Sequence, residues 1–144
     1  MRILGLDYGS KTVGTAISDA GLLIAQPLET ITRTKEDKLR KTFARIEALI
    51  EEHDIGLIVL GLPLNMDDSE GERAKKTREF KEALEKRTGM EVVLQDERLS
   101  TFSAEEVLEE MGVKKSDMKR YVDKIAASYI LQDYLDSNYL HTAD

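Results

Sequence analysis

Cysteine is absent from the 144-residue chain, so neither a disulfide framework nor a thiolate metal site is open to it. Histidine is nearly absent. His53 and His141 are the only two, and neither has a partner at metal-ligand spacing; His53 is expected to face the dipole at a helix C-terminus. No apolar run approaches membrane-spanning length, and no apolar signal segment stands at the N-terminus. These absences point to a soluble cytoplasmic protein with no membrane partner. An excess of positive charge is lacking too: 28 acidic residues against 21 basic ones leave a net charge of −7, which argues against a globally basic nucleic-acid coat.

What the chain does contain is enough apolar residue, 41%, to bury a real core in one domain. That domain is expected over residues 1–137, with 138–144 as a polar tail. Residues 2–7, 12–18 and roughly 22–31 read as short strands joined by tight turns, hence antiparallel. A helix follows, with Thr34 and Asp37 as its expected N-terminal cap and Leu39, Phe43, Ile46, Leu49 and Ile50 on one stripe. Residues 56–61 form a continuous apolar run, as in a strand buried on both faces. Further helices are expected over about 72–88, stopped by Gly89, over about 102–111, stopped by Gly112, and after Ser116. Residues 91–95 make a strand ending on Asp96 and Glu97. Three strands, then helix and strand in alternation, give an α/β fold with a mixed five-stranded sheet and helices on its faces.

The opening stretch ILGLDYGSKTVGTAISD poses a chemical question. A strand that ends on Asp7 carries a carboxylate that needs a partner. Ligands of parallel α/β sheets gather at the carboxyl ends of strands, where Asp7 and Glu97 would share one edge. Asp123, bordering the apolar stripe of the last helix, is the third candidate. Three converging carboxylates repel one another unless a cation lies between them, and all-oxygen ligands suit Mg²⁺ or Mn²⁺. One or two such ions can activate water and stabilise the leaving oxygen of a phosphodiester. Each acid also has a plain reading, as a hairpin residue, a first-turn helix acid and a solvated carboxylate. Locally basic runs lie at Arg73, Lys75, Lys76, Arg78, Lys81, Lys86 and Arg87, and at Lys114, Lys115, Lys119, Arg120 and Lys124; either could grip phosphates or be a solvated helix face. Tyr8, beside Asp7 on the other strand face, is expected to pack rather than stack on a base.

The chain resembles the YqgF/RuvX family, Holliday-junction-resolvase-like proteins and pre-16S rRNA nucleases. The likeness runs from Met1 to about Ser137 and rests on LGLDYGSKTVGTAISD at 4–19, VLGLPLNM at 59–66 with EGERA at 70–74, DERLST at 96–101, and VDKIAA at 122–127. It implies an RNase H-like fold with strand order 3-2-1-4-5 and helices on both faces, and Asp7, Glu97 and Asp123 as catalytic metal ligands. It also implies a substrate of nucleic acid, pre-rRNA or branched DNA, bordered by the 62–72 loop and Arg98. The substrate contacts expected are Gly9, Ser10, Lys11, Asn65, Arg98, Thr101, Lys119, Arg120 and Lys124. A monomer or weak homodimer is expected; symmetric junction cleavage would need a two-fold dimer. The chain departs from the family pattern at Asp68, where a glycine is usual, and at Ser100, where threonine is usual. Two other readings compete. The first motif also resembles the phosphate loop of sugar kinases and actin-like ATPases, although those bind ATP between two such domains. A non-catalytic RNA-binding assembly factor on a nuclease scaffold is the stronger rival.

Overall fold

The computed structural model describes residues 1–65, 67, 69–97 and 106–139, with the side chains of Ser116, Lys119 and Arg120 outside that description. The elements are β1 Arg2–Tyr8, β2 Thr12–Ser18, β3 Ala25–Thr32, α1 Arg40–Glu52, β4 Ile55–Leu62, α2 Glu72–Thr88, β5 Val92–Asp96 and α3 Lys115–Asn138. The strands form one sheet in the order β3-β2-β1-β4-β5. β1 pairs antiparallel with β2 and β2 with β3, whereas β1–β4 and β4–β5 are parallel. This is the RNase H-like arrangement.

Strand periodicity divides β1 between two cores. Leu4, Leu6 and Tyr8 face Phe43, Ile46 and Leu49 of α1 and Phe80 and Leu84 of α2. On the opposite face Ile3, Ala16 and Val59 meet Ala127, Ile130, Leu131 and Leu135 of α3. Asp7 therefore belongs to the α3 face. That face is built of small residues so that α3 can lie close to the sheet. A Cβ added at Gly5 would stand 2.8 Å from Leu131 Cβ, and one added at Gly14 would overlap the Asp123 carbonyl.

Three expectations need correction. β3 starts at Ala25 rather than near 22, because residues 22–24 turn: Leu22 has φ +61°, and Asp19 Oδ1 accepts from the Leu23 and Ile24 amides. Thr34 and Asp37 do not cap α1. The helix begins at Arg40 with Leu39 at the cap position and no side-chain cap bond. The intervening segment is held by tertiary bonds instead, as Arg33 Nε donates to Glu36 O and Arg73 pairs with the Glu36 carboxylate. The last helix opens at Lys115, slightly ahead of its expected start. α2 occupies 72–88 as expected, closed by Gly89 at φ +71°. Residues 106–110 are helical and end before Gly112 at φ +77°, and the 102–105 part of that expected helix lies outside the described residues. Among the described residues no helix is long and apolar enough to cross a membrane.

Candidate active site

Because β1, β4 and β5 run parallel, Asp7 and Glu97 emerge at the same edge of the sheet. The Glu97 amide extends the β4–β5 ladder by donating to Leu62 O at 3.3 Å. Its side chain then lies over β4, where the residue beneath is Gly61. A Cβ there would stand 2.7 Å from Glu97 Oε2 and 2.5 Å from Ile130 Cδ1. The missing side chain at Gly61 is thus what lets the Glu97 carboxyl cross β4 and hydrogen-bond with Asp7. Asp123 comes from the third direction. Gly14 pairs with Asp7 across β1 and β2 and carries the Asp123 backbone on its bare face.

Two carboxyls buried side by side cannot both ionise easily. Burial first, then the Asp7 charge and the hydrogen bond to Asp7, pushes Glu97 up to about 10. Burial likewise raises Asp7 to about 6, with the Asp123 charge adding to it and the bond from Glu97 and the charge of Arg73 opposing it. The upward shift of both groups means that at neutral pH the pair shares a proton in the hydrogen bond between Glu97 and Asp7. Glu97 Oε2 is buried without a hydrogen-bond partner among the described residues, and Asp123 is half-buried beside the pair. Asp7 and Glu97 are in contact; Asp123 acts on Asp7 through its charge. Among the described residues no three His, Cys, Asp or Glu side chains form a closed group that could hold a metal ion.

Two arginines at this edge carry more structure than their place in the sequence suggests. Arg73 Nη2 donates to Tyr8 O at 3.2 Å, its Nη1 to Glu36 at 2.7 Å, and its guanidinium lies 4.7 Å from the Tyr8 ring centroid. Arg33 lies 4.9 Å from the same centroid and donates to Gly9 O. The Tyr8 ring stacks on Phe80 at 4.1 Å, so it packs, as expected. Arg73 also lowers the proton affinity of both Asp7 and Glu97. A cation in the first turn of a helix opposes the helix dipole. That mismatch at the start of α2 was the available sign that Arg73 serves something beyond helix stability.

The remaining expected residues divide. Ser10 and Lys11 are exposed at the tip of the β1–β2 turn, whereas the Gly9 amide is used by Thr12 O at 2.7 Å. Asn65 closes its own loop: its Nδ2 donates to Ser69 Oγ at 2.9 Å and its amide to Ser69 O. Lys124 lies over the Tyr121 ring at 5.0 Å and, with Asp123, Thr12 and Thr32, borders a groove of about 550 Å³. Arg98 and Thr101 fall outside the described residues, as do the side chains of Lys119 and Arg120. The basic run on α2 is largely neutralised. Arg73 and Lys76 pair with Glu36, Arg78 with Glu70, Lys81 with Glu85 and Arg87 with Glu47. His53 caps α1 through its amide to Leu49 O at 3.1 Å.

A model of the family described as "RuvX: Holliday junction resolvase" matches residues 1–137. The chain belongs to the RuvX family. A relative from Lachnospira eligens is 56% identical over 95% of this chain and 98% of its own, and one from Agathobacter rectalis is 53% identical over 94% and 95%. Both carry the name "Putative pre-16S rRNA nuclease". Among solved structures, Thermus thermophilus RuvC in complex with a Holliday junction substrate superposes with a TM-score of 0.57 at 15% identity, covering 95% of each chain. The fowlpox virus Holliday junction resolvase superposes with a TM-score of 0.55 at 16% identity, over 95% of this chain and 99% of that one. At such identities these two structures speak for the fold alone.

Proposed function

We propose that this RuvX-family protein is a divalent-cation-dependent nuclease that hydrolyses phosphodiester bonds in structured nucleic acid, with the precursor of 16S rRNA as its substrate. The observation that carries this reading is the buried Asp7–Glu97 carboxyl pair, with one Glu97 oxygen lacking a partner and Asp123 alongside. A pair so far above the ordinary carboxylate range burdens the fold unless a ligand uses it. The donor set is hard oxygen only, which fits Mg²⁺ or Mn²⁺. Asp7 and Glu97 would hold the ion once their shared proton leaves, with Asp123 as the third carboxylate. When bound, such an ion supplies Lewis-acid activation of water and charge stabilisation at the phosphate.

The protein's own groups have separate tasks. Arg73 favours the ionised form of the acidic pair and holds the end of β1 through Tyr8 O. Ser10 and Lys11, exposed at the same edge, would meet a phosphate. The identity of the substrate is supported by the names of the close relatives. The test is cleavage of a transcript spanning the 5′ end of pre-16S rRNA, beside a four-way DNA junction, by protein freed of host nucleases, with D7N purified identically. Mn²⁺-dependent cutting of the transcript by wild type alone is the expected result. Preferential cutting of the junction would move the substrate to branched DNA. Binding without cutting of either would overturn the enzymatic reading.

A further inference from the structure

The stretch RTKEDKLRK, residues 33–41, holds Arg33, Lys35, Lys38, Arg40 and Lys41 against only Glu36 and Asp37, in a chain whose net charge is −7. Glu36 is already neutralised by Arg73 and Lys76. Lys35, Lys38, Arg40 and Lys41 are all exposed, and none forms an ion pair with a described residue. This contrasts with α2, whose basic run is mostly paired. The segment follows β3, which runs in the same direction as β1, so it emerges at the edge that carries Asp7. It is also tied to that edge. The Arg33 amide donates to Lys11 O at 2.8 Å, and its guanidinium donates to Gly9 O. Arg33, Lys38, Arg40 and Lys41 outnumber the one acid, Asp37, in the lining of a groove of about 630 Å³. Arg40 and Lys41 open α1, whose first turn has no acidic residue. Stability alone would favour acids at a helix N-terminus.

We infer that the Arg33–Lys41 groove is the track on which this protein carries the phosphate backbone of a duplex arm flanking the bond it cuts. The inference rests on the nuclease reading and adds to it where the substrate lies: on the β3–α1 side of the acidic pair rather than along α2. Charge complementarity selects a polyanion, and continuity with the β1–β2 turn places that polyanion next to Asp7. An acidic protein surface is the alternative occupant.

The experiment measures binding of an RNA stem–loop and of a four-way DNA junction in metal-free buffer, as a function of salt. K38A/R40A is compared with K86A/R87A, which removes the same charge from the last turn of α2 at the opposite end of the sheet. Each lost phosphate contact lowers the slope of log affinity against log salt by about 0.9 on duplex. K38A/R40A should therefore be shallower by about 1.8, and its deficit relative to wild type should shrink roughly 12-fold between 50 and 200 mM salt. K86A/R87A should keep the wild-type slope. A deficit confined to one probe supports the track and names its source as RNA or DNA. An unchanged slope in K38A/R40A, or an equal loss in K86A/R87A, overturns the inference while the nuclease reading stands. Competition by polyglutamate as strong as by unlabelled stem–loop also overturns it, in favour of an acidic protein. If wild type binds neither probe, both readings fall. The single variants K38A and R40A, each expected at half the slope change, guard against a fold defect in the double variant.

Discussion

Glu97→Gln should make the metal-free protein more stable at alkaline pH while abolishing its response to metal. Glu97 is raised to about 10 by burial and by Asp7. In the unfolded chain it titrates at its ordinary value of 4.5. Between those two values the folded state holds a proton that the unfolded state has lost. Stability from this group is therefore complete below pH 4.5 and falls as pH rises towards about 10, at about 1.4 kcal/mol per pH unit. Asp7, raised from 3.8 to about 6, adds a second proton and a steeper fall only in the acidic part of that window.

Glutamine is close to an isostere of the protonated acid and still donates to the Asp7 carboxylate, but it has no proton to lose. The gap between variant and wild type should thus open steadily above pH 4.5. Simple integration from pH 4.5 to 8 gives about 5 kcal/mol. Relaxation and water entry at a buried charge commonly remove half of such a figure, so about 2 kcal/mol is expected at pH 8. For a chain of this size that is a rise in Tm of roughly 6–8 °C. Adding Mn²⁺ should stabilise wild type by about 2.7 kcal/mol at one hundred times the dissociation constant, with release of protons to solvent. The variant should gain little. Thermal melts of both proteins at pH 5, 6, 7 and 8, with and without Mn²⁺, measure all of this. Parallel pH dependences, or a variant that melts at or below wild type at pH 8, would refute the shared-proton account of the pair.

Gly14→Ala puts its new methyl into the carbonyl of Asp123; backbone cannot yield, so α3 must lift, at about 3 kcal/mol or more. By contrast, Gly56→Ala meets only the half-exposed Met1 side chain and should change stability by under about 0.5 kcal/mol; urea titration of the two variants distinguishes them. Arg73→Lys keeps the charge but not the fork that joins Tyr8 O to Glu36, and should lose about 1–3 kcal/mol of stability. The same variant should need more Mn²⁺ for half-maximal cleavage, read from a metal titration of the rate.

The strands themselves and the positions of Asp7 and Glu97 at their ends were legible because both follow from local pattern, whereas the strand order 3-2-1-4-5 came from the family resemblance. Apolar runs bounded by turns define strands, and a carboxylate at the boundary stands out against them. The charge run on α2 was ambiguous in the sequence for a physical reason. Whether a lysine is available depends on which acid tertiary packing brings beside it, and the α2 cations meet Glu36, Glu47, Glu70 and Glu85. Residues 33–41 are the opposite case. Their Thr-x-x-Asp spacing imitates a helix cap amid five cations, while α1 starts only at Arg40, after a segment held by the bonds of Arg33 and Glu36.

What no local pattern could reveal is how Asp7 and Glu97 come into contact with the charge of Asp123 nearby, and the glycines answer that. Gly5, Gly14 and Gly61 all lie on the α3 face, one on each of three adjacent strands. Gly5 and Gly14 bring the backbone of α3 down onto β1 and β2, which sets the height of Asp123 above Asp7. Gly61 leaves open the space through which Glu97 reaches the same point. A sheet shaped only for stability would fill those positions with alanine or valine and bury more apolar surface. It would also lift α3 away from the sheet and hold the Glu97 carboxyl on its own strand. The absence of three side chains is therefore the structural condition for an acidic site at this edge, and the raised proton affinities of Asp7 and Glu97 are its electrostatic consequence.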